Sequence, residues 1–477
     1  MSQKPKAKNK IQIHFVGESA NGVTGSCIWV KTPHVEFLIE CGLYQSSGNT
    51  LEEYHVNNAA FKFKPKNISY VFGAHCHGDH ILRMPLLFKR GMTAPVIMPT
   101  GSTPIARILM EDSARIMACD AEDLSKQYGK DYAPIYTQEH VNMCIAHIKE
   151  YPMGEIIQLD EYVKFRFTPS GHIMNAAQIE IFVTEGNITK TIAYTSDLGN
   201  VHIDQYYTNQ FEPIRRANVF IGETTYGGET RIATQKTRDK DLYKLWNVIQ
   251  DTCAKGGRVL IPCFANSRSQ SMLTYLYDMF GEDASFNVPV LFDTPMGIRV
   301  CEAYRHLLEG AEADKWDEVL RWPNVKFISD AAESKAWQNS EAPAVIISSS
   351  GMLTHGRSRA YTKALLGDPR NTIIFCGFSV DNSLASIIKQ GTAKTIKLGG
   401  KRIPNMCNVV DLHSFTSHAQ RDSLLQYYSN VDCEKVLLVH GDMAGKVSFA
   451  ADLEEAISKN NKTSKVICVN KGYSLSI

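Results

Sequence analysis

Residues 74–80 read AHCHGDH and place His75, His77, Asp79 and His80 within six positions, directly behind the apolar run Ile68 to Gly73. Imidazole nitrogens and a carboxylate oxygen are donors that suit zinc. The run before them reads as a buried strand, so the four side chains belong to the loop at its end. Alternation puts His75 and His77 on one side while Asp79 and His80 turn to another, and one ion per pair is the natural arrangement. A single surface histidine is usually just solvated. Three in so short a loop, with an aspartate between them, point to a metal centre.

The same grammar recurs along the chain. Alternation in YVKFRF (162–167) marks a strand that runs into the turn TPSGH and delivers His172. KTIAYTSD (190–197) ends in Asp197, ANVFIGE (217–223) in Glu223 and KVLLVH (435–440) in His440. One strand-end acid is more often a turn former. Repetition of the pattern implies a sheet whose strand ends converge on one edge, where open α/β sheets gather their sites. His202, close behind Asp197, reads as a turn histidine.

Between Glu223 and about residue 400 the pattern changes to strand-loop-helix units. RVLIPCF leads into SRSQSMLTYLYDMFG, PVLFDTP into MGIRVCEAYRHLL, AVIISSSG into a helix around Arg359 to Leu366, and TIIFCGF into NSLASIIKQG. These units predict a parallel, Rossmann-like domain. The turn SSSGMLTHG (348–356) could offer backbone N–H groups to phosphate. It lacks the glycine two places before the serine that a nucleophile elbow needs, which argues against a serine hydrolase.

A chain of 477 residues is too long for one core and fits two or three domains. With 51 basic and 50 acidic residues, net charge is +1, so any polyanion must be held by a local groove or by metal. The 12 cysteines fall singly with no CxxC pair, and most lie in apolar surroundings. A reducing, cytoplasmic setting is expected. No apolar run approaches a bilayer span, and the lysine-bearing start MSQKPKAKNK reads as a solvated arm.

The ordered set His75, His77, Asp79, His80, His172, Asp197 resembles that of the metallo-β-lactamase superfamily. Glu223 in GETTYGG, His418 in SFTSHAQRDSLL and His440 in LLVHGD look like the three further motifs of its β-CASP branch, which includes ribonuclease J and the RNA 3′-end cleavage endonuclease. VTGSCIWV, HILRMPLLFKRG, RVLIPCFANSRSQ, FDTPMGIRV, SSSGMLTHGR and GFSVDNSLA are similar, in order and character, to the two-domain bacterial and archaeal members. The resemblance spans nearly the whole chain.

It implies an α/β fold: a four-layer αββα sandwich with an inserted Rossmann-like β-CASP domain. Residues 1–228 and 401–477 would form the sandwich and 229–400 the insert. It implies two Zn2+ ions per chain, one held by His75, His77 and His172, the other by Asp79, His80 and His440, with Asp197 bridging. Asp79, Glu223 and His418 are the catalytic candidates, with His418 as proton donor. Arg268, Ser350, Gly351 and Arg357 are candidate substrate contacts. The implied activity is hydrolysis of single-stranded RNA in processing or decay, as endonuclease, 5′-to-3′ exonuclease or both. A DNA nuclease, a small-molecule metallo-hydrolase and an inactive scaffold in an RNA-processing complex are the alternatives. A homodimer is a further partner expectation, and no membrane is expected.

The chain also departs from the family pattern. Glu40 stands at the end of FLIE where Asp is usual and would support the metal site from behind. The third-histidine motif reads GHIMNAA, without the usual glycine-containing form, and TSHAQ lacks the acid that often follows its histidine. With only a short segment after His440, the additional C-terminal domain of ribonuclease J is not expected.

Overall fold

The computed structural model describes residues 10–45, 49–229, 233–377, 379 and 383–477. The lysine-bearing first residues and part of GFSVDNSLA lie outside them. The chain divides into two compact units, one of Met1–Val201, Thr208–Arg231 and His418–Ile477, the other of His202–Tyr207 and Ile232–Ser417.

The first unit contains two seven-stranded sheets. One runs Ser474–Ser476, Gln12–Phe15, Ile28–Lys31, Glu36–Ile39, Tyr70–Phe72, Val96–Pro99, Ile148–Tyr151 from edge to edge. The other runs Lys465–Cys468, Lys435–Val439, Val219–Glu223, Ile188–Tyr194, Ala177–Glu185, Val163–Pro169, Ile157–Gln158. Their facing sides share one core, in which Ile13, Val30, Phe37 and Phe72 meet Phe165, Ile179, Ile181, Ile221, Leu437 and Val439.

Strand period explains why KVLLV is apolar throughout. Leu437 and Val439 point into that core, whereas Val436 and Leu438 point outward to a second cluster with Tyr427, Tyr428, Phe449 and Leu453. Those last four come from the helices Arg421–Ser429 and Met443–Lys459. On the outside of the first sheet lie the helices Met84–Lys89, Ser102–Tyr128 and Gln138–Ala146. The expected αββα sandwich is therefore the observed one.

In the second unit six parallel strands run Val325–Phe327, Val290–Asp293, Val345–Ser348, Val259–Pro262, Thr372–Phe375, Asn408–Asp411. The four helices expected after strands are found at Arg268–Phe280, Pro295–Leu307, Gly356–Leu365 and Leu384–Gln390. Residues 401–417 group with this unit, because Asn408–Asp411 pairs with Thr372–Phe375 and Lys401–Pro404 with Thr395–Leu398. The return at 401 read from sequence thus differs from the grouping by the length of that edge.

All 12 cysteines are free, and no helix among the described residues is long and apolar enough to cross a membrane. In the first unit, backbone contacts fix the histidine-rich loop. Ser26 N–H donates to Asp79 O (2.8 Å), Cys41 N–H to His80 O (2.9 Å) and Leu43 N–H to Gly78 O (3.0 Å). Gly42 lies so close that a Cβ there would sit 1.7 Å from Asp79 O. Gly42→Ala must therefore displace the 78–81 turn. Denaturant unfolding should show a loss of more than about 2 kcal/mol, the range of steric clashes in packed regions; wild-type stability would mean that the turn yields freely.

Candidate metal centre

Tyr70–Phe72 is the buried strand read before the histidines, and behind it Gly78–Ile81 forms a single helical turn. That turn brings the His80 ring to 4.2 Å from the His75 ring, centroid to centroid, while the His77 ring lies 4.9 Å from His75, so the two pairs are not turned apart as strand alternation had suggested. Three strands end by breaking into left-handed backbone on a non-glycine residue: Glu40 (φ 62°), Ser196 (φ 52°) and His440 (φ 52°). Such conformations cost roughly 1–3 kcal/mol each and persist only where surrounding contacts enforce them. At all three, the side chain is hydrogen-bonded within the cluster.

Asp197 is the centre of the arrangement. Its Oδ2 lies 3.7 Å from His75 Nε2, 3.4 Å from His80 Nε2, 3.6 Å from His172 Nε2 and 3.9 Å from His418 Nε2. Its Oδ1 lies 3.5 Å from His440 Nδ1. His77 Nδ1 completes one side at 3.1 Å from His75 Nε2 and 3.2 Å from His172 Nε2. On the other side, Asp79 Oδ2 lies 3.4 Å from both His80 Nε2 and His440 Nε2. His172 is brought in by a close loop crossing, where Gly199 N–H donates to Ser170 O at 2.8 Å and a Cβ on Gly199 would meet Gly171 O at 2.0 Å.

The donor atoms form two groups, His75/His77/His172/Asp197 and Asp79/His80/His440, each within 4.8 Å of one another. His80 Nε2 and Asp197 Oδ1 are buried and make no hydrogen bond. Polar atoms are rarely buried in that condition unless another partner is served. Nitrogen and carboxylate donors converging on two foci fit divalent metal of the zinc type.

A third candidate group, Glu40/His75/His80, has a different meaning. The Glu40 carboxylate is fully buried and its oxygens are already engaged. Oε2 accepts from His80 Nδ1 (2.5 Å) and Tyr194 OH (2.6 Å), while Oε1 accepts from Ser196 Oγ (3.0 Å). Ser196 Oγ in turn lies 3.1 Å from His75 Nδ1. One carboxylate thus fixes the tautomer of a histidine in each donor group, directly for His80 and through a hydroxyl for His75. Tyr194 and Ser196 were not singled out from sequence, and neither was Thr225. That threonine joins two motifs: its Oγ1 lies 3.0 Å from His440 Nδ1 and its N–H donates to Glu223 Oε2 at 2.9 Å.

The electrostatics divide the histidines. Burial, aided by the neighbouring His80, holds His75 well below the ordinary histidine range, and burial lowers His77 to about 4. Both are thereby biased toward the neutral form that can donate a ring nitrogen to a metal. Burial also disfavours charge on His80, but Glu40, Asp197 and Asp79 outweigh it and hold that ring well above the ordinary range. At His440 burial is likewise overcome, chiefly by Asp197 and Asp79. Asp79 and Asp197 are held well below the carboxylate range, because adjacent imidazoles override burial.

His418 stands beside this cluster with Nδ1 3.3 Å from Glu223 Oε1. Burial opposes its protonation, yet Glu223 and Asp197 raise it above the ordinary range. Glu223 is itself held by Leu198 N–H (3.0 Å) and Thr225 N–H. Of the cluster, His77, Asp79 and His418 keep partial exposure and mark its open face.

The remaining candidates lie in the second unit. Arg268 is half-buried at the first turn of Arg268–Phe280, and Ser350 and Gly351 form a turn against Cys263 and Phe264. Arg357 is engaged otherwise. Its guanidinium donates to Asp293 Oδ1 (2.5 Å), Ile328 O (2.8 Å) and Ser329 O (2.7 Å), contacts that tie it to its own unit. His202 is exposed in a turn, as read.

Comparison with known proteins gives this geometry a context. Residues 269–388 match the Beta-Casp domain family, and residues 402–464 match the Zn-dependent metallo-hydrolase RNA specificity domain family. The chain is 28% identical over 431 residues to ribonuclease TTHA0252 of Thermus thermophilus, covering 89% of this chain and 92% of that protein. It is 27% identical over 466 residues to transcription termination factor FttA of Methanocaldococcus jannaschii, covering 94% and 70%. It is 23% identical over 432 residues to Integrator complex subunit 11 of Danio rerio, covering 90% and 68%. A solved structure of a protein of unknown function from Enterococcus faecalis V583 shares the fold, with a TM-score of 0.56, 11% identity and coverage of 98% of this chain and 100% of that one.

Orientation of the ligands by Glu40 is open to a direct check. Glu40→Asp keeps the charge but is one methylene too short for its three contacts. Competition with a fluorescent chelator should show zinc affinity lower by about 10- to 100-fold, the usual effect of losing an orienting partner. Undiminished affinity would show that the rings are held by packing alone.

Proposed function

Since the chain belongs to the β-CASP branch of the metallo-β-lactamase superfamily, we propose that it is a zinc-dependent ribonuclease that hydrolyses single-stranded RNA with two metal ions per chain. The observation that carries this reading is the gathering of six donor residues, from His75 to His440, around the Asp197 carboxylate beside a carboxylate-held histidine. His75, His77 and His172 would hold one ion and Asp79, His80 and His440 the other, with Asp197 facing both. When bound, a zinc pair supplies Lewis acidity toward a phosphodiester and brings the pKa of water to about 7.

The chain's own residues supply the rest. Asp79 stays ionised on the open face and orients the attacking water through one of its protons. Glu223 accepts the Nδ1 proton of His418, which leaves Nε2 directed at the centre and, once protonated, able to give its proton to the departing 3′ oxygen. Products then carry 5′-phosphate and 3′-hydroxyl ends. Backbone N–H groups of Ser350 and Gly351 and the Arg268 guanidinium contact the RNA backbone without reading sequence.

The test uses single-stranded RNA labelled at either end, matched DNA and a chromogenic lactam, each with and without chelator. RNA should be cut to 5′-phosphorylated products, and chelator should stop the reaction. Intact RNA after incubation with zinc-loaded protein would refute the proposal, and cleavage of DNA or lactam alone would reassign the substrate.

The acid step has its own signature. His418→Ala should keep its zinc and lose about 100-fold or more in turnover, the scale of acid catalysis. Because Glu223 holds the proton on His418 to higher pH, activity should fall as pH rises through that raised pKa. Glu223→Gln removes the supporting charge, so the alkaline limb of the pH–rate profile should move to lower pH. An unmoved limb would separate Glu223 from proton donation.

A further inference from the structure

The helix Gln235–Ala254 presents an exposed face that no motif accounts for. Its inner face is Leu245, Ile249, Thr252 and the buried Arg238. The Arg238 guanidinium donates to Ser414 O at 2.7 and 3.2 Å and lies over the Phe415 ring at 4.6 Å. Asp241 accepts from Ser414 N–H at 3.0 Å. These contacts hold the helix rigidly within its unit.

Outward, Tyr243 is 69% exposed and Trp246 36%, with their rings 6.4 Å apart and inclined by only 15°. Lys236, Lys240 and Lys244 are exposed at successive i, i+4 positions, and among the described residues none of them is in an ion pair. The neighbouring acids are Asp239, which accepts from Gln235 Nε2 at 2.9 Å, and Asp251, further along the helix.

We propose that this face is a binding surface for single-stranded RNA, with Tyr243 and Trp246 stacking on bases and Lys236, Lys240 and Lys244 following phosphates. It rests on the reading of the chain as an RNA hydrolase and adds a second place where the substrate is held. Flat aromatic rings stack on any base, and a row of ammonium groups meets a phosphate backbone without sequence preference. A protein partner is the poorer fit, because interfaces between proteins are depleted in lysine. A solvated helix face accounts for the lysines but not for a largely exposed Tyr243 ring lying nearly parallel to a partly exposed Trp246.

The experiment measures fluorescence anisotropy of a labelled oligouridylate of about 16 nucleotides, the upper site size of single-strand binding folds. It uses the whole protein with chelator present, so that binding is read without cleavage. The double variant Tyr243→Ala, Trp246→Ala should bind about 10-fold more weakly or worse, given the usual contribution of base stacking. The triple variant Lys236→Gln, Lys240→Gln, Lys244→Gln should flatten the dependence of log affinity on log salt by about 2, from three lost phosphate contacts. Zinc-dependent hydrolysis of bis(p-nitrophenyl) phosphate should be unchanged in both. Wild-type affinity and salt slope in both variants would overturn the proposal, as would a fall in sedimenting mass in the double variant, which would assign the face to self-association. If the wild-type protein binds the oligonucleotide but never cuts RNA, the hydrolase reading fails while the surface stands.

Discussion

Every feature of the metal centre depends on the Asp197 carboxylate, which lies between 3.4 and 3.9 Å from five imidazole rings. An ionised group so deeply buried is unfavourable unless cations surround it. Three of the rings, His80, His418 and His440, are biased toward protonation by that charge and its neighbours, whereas His75 is not. The cluster is therefore an anionic core that favours positive charge around it. Divalent metal meets that demand more fully than protons do, and metal uptake must release the protons it replaces.

The order of the candidate donor residues was legible in the sequence because strand-end residues are constrained. Each of His172, Asp197, Glu223 and His440 follows an apolar run whose alternation says where the strand stops. The supporting hydroxyls were not legible. Ser196 matters because its backbone turns left-handed and brings Oγ between Glu40 and His75, and no local pattern in YTSD announces that conformation. Tyr194 reads as a core residue and is one, yet its OH reaches Glu40, more than 150 positions earlier in the chain. With Glu40 in place of Asp, one carboxylate reaches His80, Tyr194 and Ser196 together.

In the second unit the strand-helix alternation was readable because each buried parallel strand is a short continuous apolar run. Individual charged side chains were not. Arg357 follows the SSSGM turn and looks available, but its partner Asp293 is distant in sequence, and only the fold shows that the guanidinium is taken. Conversely, the helix Gln235–Ala254 carries no motif. Its exposed rings stand out only when its buried side is known.

His440 follows Lys435–Val439, a strand inserted between Val219–Glu223 and Lys465–Cys468 in the same sheet. During synthesis the other candidate donors emerge from the ribosome long before this one, separated from it by most of the second unit. A nascent polypeptide accordingly carries a half-built centre and an open sheet until translation has passed that strand. Whatever chemistry requires His440 therefore waits until translation has passed that strand.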